Sequence, residues 1–335
     1  MDKISYKQKL LQMFILGYEE EIPPESFLRL VKKGLGGVIF FTRNIKTVQQ
    51  FKNAVHTIKT AEKPAIPLFL SIDQEGGRVE RTLNIHNGSH YLSAQAAAEK
   101  GEEFVKVQTQ NIANELKEFG LNMNFAPVLD VNTNPKNPVI AERSFSSSPE
   151  LAAKFGKICA KTYLENGIIP VGKHFPGHGE TSVDSHKAMP VLDLSKQELE
   201  AVHIKPFEEL IKADLLPAIM VAHIHYTAFD KNKIPASISK NVIENYLLKK
   251  LDYKGLVISD DMVMGGIKGF SSFEACKRGI EAGINLFIFR NADEQTKDLI
   301  ERLALAAENG SVDTSKIDDS YAKIISYKQK TLTNV

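Results

Sequence analysis

The chain has 335 residues, 43% hydrophobic and 25% charged, enough apolar material to bury a full core. Lysine and arginine (42) nearly balance aspartate and glutamate (41), and no long block of one sign occurs. A net charge of +1 so distributed argues against nucleic acid or an anionic membrane surface as the main partner. Cys159 and Cys276 each fall in a helical pattern and are expected to be reduced thiols in a core. Met1–Lys9 leads into an amphipathic segment, and no apolar run approaches transmembrane length. The expected setting is the cytoplasm, and the expected state a monomer.

Short apolar runs alternate with helical patterns from end to end, with no linker, repeat or low-complexity tract between them. A strand over Met13–Leu16 precedes a helix over Pro24–Lys33, and Gly37–Phe41 precedes Val48–Ala61. Strand Pro67–Ile72 leads to helix Ser93–Phe119, Asn122–Ala126 to Pro149–Glu165, and Ile168–Gly172 to Lys196–Ala213. Ala218–Ala222 with Lys240–Leu251, Leu256–Ser259 with Phe273–Ala282, and Asn285–Phe289 with Ala292–Asn309 complete the alternation; Thr314–Lys328 adds a last helix. The strands are almost continuously apolar, as parallel strands covered on both faces are. Eight of them predict a (β/α)8 TIM-type barrel spanning residues 1–335 as one catalytic domain. Met13–Leu16 is the exception that suits a helix as well, so the barrel's start is expected to be irregular.

A barrel puts its active site where its strands end, in the βα loops. Polar residues collect at those points: Arg43-Asn44 after the second strand, then Asp73-Gln74-Glu75-Gly76-Gly77-Arg78-Val79-Glu80-Arg81 after the third. Pro127-Val128-Leu129-Asp130-Val131-Asn132, His223-Ile224-His225, Asp260-Asp261-Met262 and Arg290-Asn291 follow later strands. The richest stretch runs from Lys173 to His186, with Gly and Pro enough to forbid a continuing helix or strand. A solvated polar turn is the bland alternative for it.

Asp260 is delivered at the mouth by its strand, where a carboxylate can serve as nucleophile, base or metal ligand. Period-two alternation should keep Asp261 from pointing the same way, and a pair of helix-capping acids is the competing reading. In Asp184-Ser185-His186 the acid can orient one ring nitrogen and leave the other to exchange protons near neutrality. Lys173 and His174, at a strand end, suit a ring of hydroxyls, as do Asp73 and Arg81 around the Gly76-Gly77 turn. Arg143 sits in a Pro/Asn-rich loop that resembles a lip; for Arg78, Arg81 and Arg143 a structural ion pair is the alternative. His174, His178, Asp184, His186, His223 and His225 are enough ligands for a metal, but His174 and His178 fall in a Gly/Pro loop without helical spacing, so no metal is expected. No nucleotide fingerprint occurs, and no cofactor is expected.

These residues resemble glycoside hydrolase family 3, and within it the bacterial β-N-acetylglucosaminidases. The resemblance runs through Gly36–Asn44, Ile72–Val79 and Phe125–Val131, and is most specific in Lys173-His174-Phe175-Pro176-Gly177-His178-Gly179-Glu180-Thr181 with Asp184-Ser185-His186. It implies Asp260 as nucleophile, His186 as general acid/base and Asp184 as its partner. It further implies that Asp73, Arg81, Arg143, Lys173 and His174 bind an N-acetylglucosamine unit, and that the substrate is a glycoside such as a muropeptide of cell-wall recycling. Glu180 stands where the family more often has Asp, and the second sandwich domain of many members is not expected. The rivals are a broader β-glucosidase or hexosaminidase, a glycoside phosphorylase, a metal-dependent barrel hydrolase and a non-catalytic sugar-binding barrel.

Overall fold

The computed structural model describes residues 4–61, 66–86, 91–182 and 189–332. Eight parallel strands close a barrel: β1 (Phe14–Leu16), β2 (Gly37–Phe40), β3 (Phe69–Ile72), β4 (Met123–Asn124), β5 (Ile169–Phe175), β6 (Ala218–Val221), β7 (Leu256–Asp261) and β8 (Leu286–Phe289). Each pairs with the next in sequence, and β1 closes the ring against β8 through Phe14 opposite Phe287 and Leu16 opposite Phe289. The expected barrel is therefore present, including its first strand. That three-residue strand is fully buried on both sides, which is why its apolar run lacks a strand's alternation.

Helices wrap the outside, several started by side-chain caps. Ser148 Oγ accepts from the amide of Leu151 with Pro149 opening the helix, and Asp293 caps Thr296. Two helices expected as single are interrupted. Ser93–Phe119 divides into Ala94–Glu99 and Glu102–Glu118 at Gly101, whose φ of 101° a helix cannot hold. Lys196–Ala213 contains a π-helical segment, Leu199–Ile204, just before Pro206, which has no amide to donate to the preceding turn. A short ribbon, Val191–Leu192 paired with His225–Tyr226, lies beside the mouth.

Two strands run further than expected, and both extensions matter. β5 continues through Lys173, His174 and Phe175, although Gly and Pro crowd the residues that follow. Its register with β6 shifts between Gly172 and Phe175, and the Lys173–His174 peptide is cis. β7 continues through Asp260 and Asp261. Lys173, His174 and Asp260 are thus carried by strands rather than by loops.

The opposite end of the barrel is sealed by the final helix, Thr314–Leu332. Its Lys328 is fully buried and donates to Gln12 Oε1 (2.9 Å) and to the carbonyl of Gly36 (2.6 Å), with its ammonium 4.7 Å from the Phe69 ring centroid. Replacing it leaves Gln12 Oε1 without its donor, leaves the Gly36 carbonyl with only the amide of Phe69, and opens a void beside Phe69. Lys328→Ala is expected to lower the unfolding free energy by about 2–4 kcal/mol, read as a lower urea midpoint at unchanged slope.

Candidate active site

A cavity of about 290 Å³ opens at the C-terminal ends of the strands. Asp73, Arg81, Arg143, Lys173, His174 and Asp260, all singled out by the sequence, line it together. Asp184 and His186 lie outside the described residues.

One buried charge network builds the cavity's wall. Lys173 Nζ lies 2.7 Å from Asp73 Oδ1 and 2.6 Å from Glu75 Oε1. Arg143 grips the same Glu75 with two parallel bonds of 2.8 Å and donates a third to the carbonyl of Val139. Its Nη2 then reaches His174 Nε2 at 3.5 Å, while His174 Nδ1 lies 2.6 Å from Asp130 Oδ2. Asp130, with no solvent exposure, also accepts the amides of His174 and His178. Arg81 Nη2 approaches Asp73 Oδ2 at 3.5 Å.

The electrostatics follow from this pairing. Burial alone would raise the Asp73 and Glu75 carboxyls, but Lys173 with Arg81, and Arg143 with Lys173, outweigh it and hold both below the ordinary range. Asp130 is likewise held low against its burial by His174 and by the amide of His178. Arg143 is desolvated, yet Glu75 keeps its guanidinium charged. Burial and the neighbouring His174 push the His178 imidazole down to about 4, so it is neutral at ordinary pH.

Local structure fixes these groups. Gly76 and Gly77, both at positive φ, turn the chain after β3 so that Glu75 and Val79 bond. Gln74 exchanges two hydrogen bonds with Asn124 of β4 and accepts from the amide of Arg81. Arg143 is not a lip: it ends the turn Ala141–Arg143, only 9% exposed, and reaches inward. Arg78 takes the structural alternative, pairing with Glu142 and with backbone carbonyls of the same loop.

Beyond β5, the loop is anchored as far as it is described. Tyr226 donates to the carbonyl of Gly177, and Asn137 to those of His178 and Gly179. A Cβ at Gly179 would sit 1.7 Å from the carbonyl oxygen of Val131, so only glycine passes there. Glu180 accepts from the Thr133 hydroxyl, so its extra methylene is accommodated. His178, weighed above as a metal ligand, bonds Thr181 Oγ1 at 2.8 Å and also lines the cavity.

Asp260 and Asp261 both line the cavity, against the expectation from alternation. The register of β7 against β8 shifts between Leu286 and Ile288, and such an irregularity breaks the two-residue period. The two acids remain distinct. Asp261 pairs with Arg290 and accepts from the amide of Val263, while Asp260 Oδ1 accepts from the amide of Asp261 at 2.8 Å. His223 and His225 turn to different partners, Ser237 with the carbonyl of Asp261, and the carbonyl of Ile234. Among the described residues no group of three or more His, Cys, Asp or Glu could hold a metal ion.

Glu75, Asp130, His178 and Arg290 complete the site; the sequence put them near the mouth but gave them no role in holding a sugar. Glu75 had a signal, since two residues beyond Asp73 places both on one side of an extended chain. Asp130 had only its place past a strand end: its link to His174 spans 44 positions.

A closed parallel barrel with carboxylates and cations gathered at the carboxyl ends of its strands is the architecture of a (β/α)8 enzyme. Residues 7–327 match the family described as the glycosyl hydrolase family 3 N terminal domain, and the chain belongs to that family. It is 33% identical to beta-hexosaminidase A of Pseudoalteromonas piscicida, over 92% of this chain and 56% of that protein. To the beta-hexosaminidase of Haemophilus influenzae strain KW20 it is 32% identical, over 85% of this chain and 81% of that one. The solved family 3 β-N-acetylglucosaminidase of Paenibacillus sp. str. FPU-7 matches with a TM-score of 0.93 at 33% identity, over 99% of this chain and 64% of that one. The chain thus spans little more than half of the Pseudoalteromonas protein and under two thirds of the Paenibacillus structure.

Glu75 joins two buried cations, so Glu75→Gln is expected to cost about 3–5 kcal/mol of stability, as removal of one member of a buried ionic set does. Because its folded pKa lies below the unfolded value of about 4.3, its contribution is complete above that pH and is lost as the pH falls toward the folded pKa. Chemical denaturation between pH 7 and pH 3 should therefore show a shallower acid loss in Glu75→Gln than in the native chain.

Proposed function

We propose that the chain is a retaining exo-β-N-acetylglucosaminidase in which Asp260 is the nucleophile, His186 the general acid/base and Asp184 its orienting partner. The observation that carries this reading is Asp260, at the end of β7, lining the same cavity as Asp73, Arg81, Arg143, Lys173 and His174. Sugar hydroxyls both donate and accept. Lys173 and Asp73, already bonded to each other, offer a donor and an acceptor at fixed positions. The names of the relatives, β-hexosaminidase and β-N-acetylglucosaminidase, support the substrate class.

In the first step a carboxylate oxygen of Asp260 bonds to the anomeric carbon as the bond to the leaving oxygen breaks. His186, as imidazolium, gives that oxygen its proton. In the second, neutral His186 takes a proton from water, whose oxygen bonds to the anomeric carbon and frees Asp260. Two displacements retain the anomeric configuration. Retaining sites ordinarily use a second carboxyl as the acid; a histidine avoids placing another negative charge near Asp260 and near an anionic aglycone. No metal or cofactor enters these steps.

We extend the reading to N-acetylglucosamine-bearing muropeptides as the natural glycoside, in cytoplasmic peptidoglycan recycling, with the chain acting as a monomer. The motif running from Lys173 to His186 supports the substrate. No helix among the described residues is long and apolar enough to cross a membrane.

Hydrolysis of aryl β-N-acetylglucosaminide and aryl β-glucoside tests the activity. The N-acetylated substrate should be preferred, with free sugar released even in phosphate buffer. Asp260→Ala should lose roughly 10³-fold or more in kcat. His186→Ala should lose roughly 10²- to 10⁴-fold on poor leaving groups and far less on activated ones. Because the acid must be protonated in the free enzyme, the same variant should lose the basic limb of the kcat/KM profile. Native turnover by Asp260→Ala would refute the assignment.

A further inference from the structure

Behind Asp260 lies a polar pair that this chemistry leaves unused. His223 follows β6, and Ser237 lies in the turn Ala236–Ile238; neither is exposed at all. His223 Nδ1 is 2.6 Å from Ser237 Oγ, and Nε2 is 3.1 Å from the carbonyl oxygen of Asp261. A carbonyl only accepts, so Nε2 carries the proton and donates it there. In the neutral ring Nδ1 is then a lone pair, and the Ser237 hydroxyl donates to it. Burial lowers the imidazole pKa although Asp260 acts to raise it, in keeping with a neutral ring of one tautomer.

The held carbonyl belongs to the residue that holds the nucleophile. Asp261 offers its carbonyl to His223 and its amide to Asp260 Oδ1. Its side chain is tied to Arg290, and the next amide, of Met262, donates to Ile288 across the strand pair. Gly266 packs against the base of this side chain, so closely that a Cβ there would lie 2.5 Å from the carbonyl oxygen of His223 and 2.8 Å from its Cβ. Rotation of the Asp261 backbone would swing the Asp260 carboxylate, and a misplacement of about 1 Å in a reacting group can cost roughly 10²-fold in rate.

We propose that His223, in the tautomer set by Ser237, is a positioning residue that aims Asp260 through the backbone of Asp261. This rests on the reading of Asp260 as nucleophile. The test uses an activated 2-fluoro glycosyl donor, with the rate of covalent labelling and the labelled residue both read by mass spectrometry. Labelling of Asp260 should slow roughly 10²-fold in His223→Phe and about tenfold in Ser237→Ala, with the donor's Ki unchanged. Ser237→Thr, which keeps the hydroxyl, should stay within about threefold of native. Cooperatively melting variants that label Asp260 at the native rate would overturn the proposal while leaving the nucleophile assignment intact. Native enzyme labelled at another residue would overturn both. Should His223→Phe not fold, the Ser237→Ala and Ser237→Thr pair decides alone.

Discussion

The mouth of the barrel depends on one buried ammonium. Lys173, almost wholly removed from water, is held between Asp73 and Glu75, and desolvating such a charge is tolerable only because two carboxylates meet it. Those carboxylates need cations of their own, which Arg81 and Arg143 supply, and the chain of obligations ends at His174 and Asp130. Groups from β5 and the loops after β3 and β4 are thereby locked into one arrangement. Against well-packed apolar residues such a set is a poor source of stability, but it presents fixed donors and acceptors in a polar cavity.

The two acids that end β7 show how environment divides like residues. Asp261 is drawn toward Arg290 and the backbone around it, and burial pushes its carboxyl up although Arg290 works in the opposite direction. Asp260 takes a hydrogen bond from its neighbour's amide instead. A register shift, not a sharp turn, brings both to the cavity.

Much of this architecture is legible in the residues themselves. Continuous apolar runs mark all eight strands because each is buried on both faces, and polar residues just past them mark the cavity. What escapes is of two kinds. Helix breaks at Gly101 and before Pro206 pass unnoticed when the apolar spacing on either side continues across them. The ends of β5 and β7 are set by pairing with neighbouring strands, which no local pattern encodes, so Lys173–Phe175 looks like loop and is strand. The bonds of Asp130 and Arg290 escape for the same reason: both residues stand just past strands, but their partners are distant in the chain.

Closure of the ring has a consequence for how the chain reaches its native state. β1 pairs with β8, and the first helix, Tyr6–Gln12, packs against the last two, with Gln12 bonded to Lys328 across 316 positions. Loop-closure entropy of that range must be spent before the contact returns anything, which slows folding. During synthesis β1 must wait, its edge toward β8 unpaired, until Leu286–Phe289 has left the ribosome. Until then the nascent barrel is an open sheet, and the interval before it shuts is the chain's period of greatest exposure to misassociation.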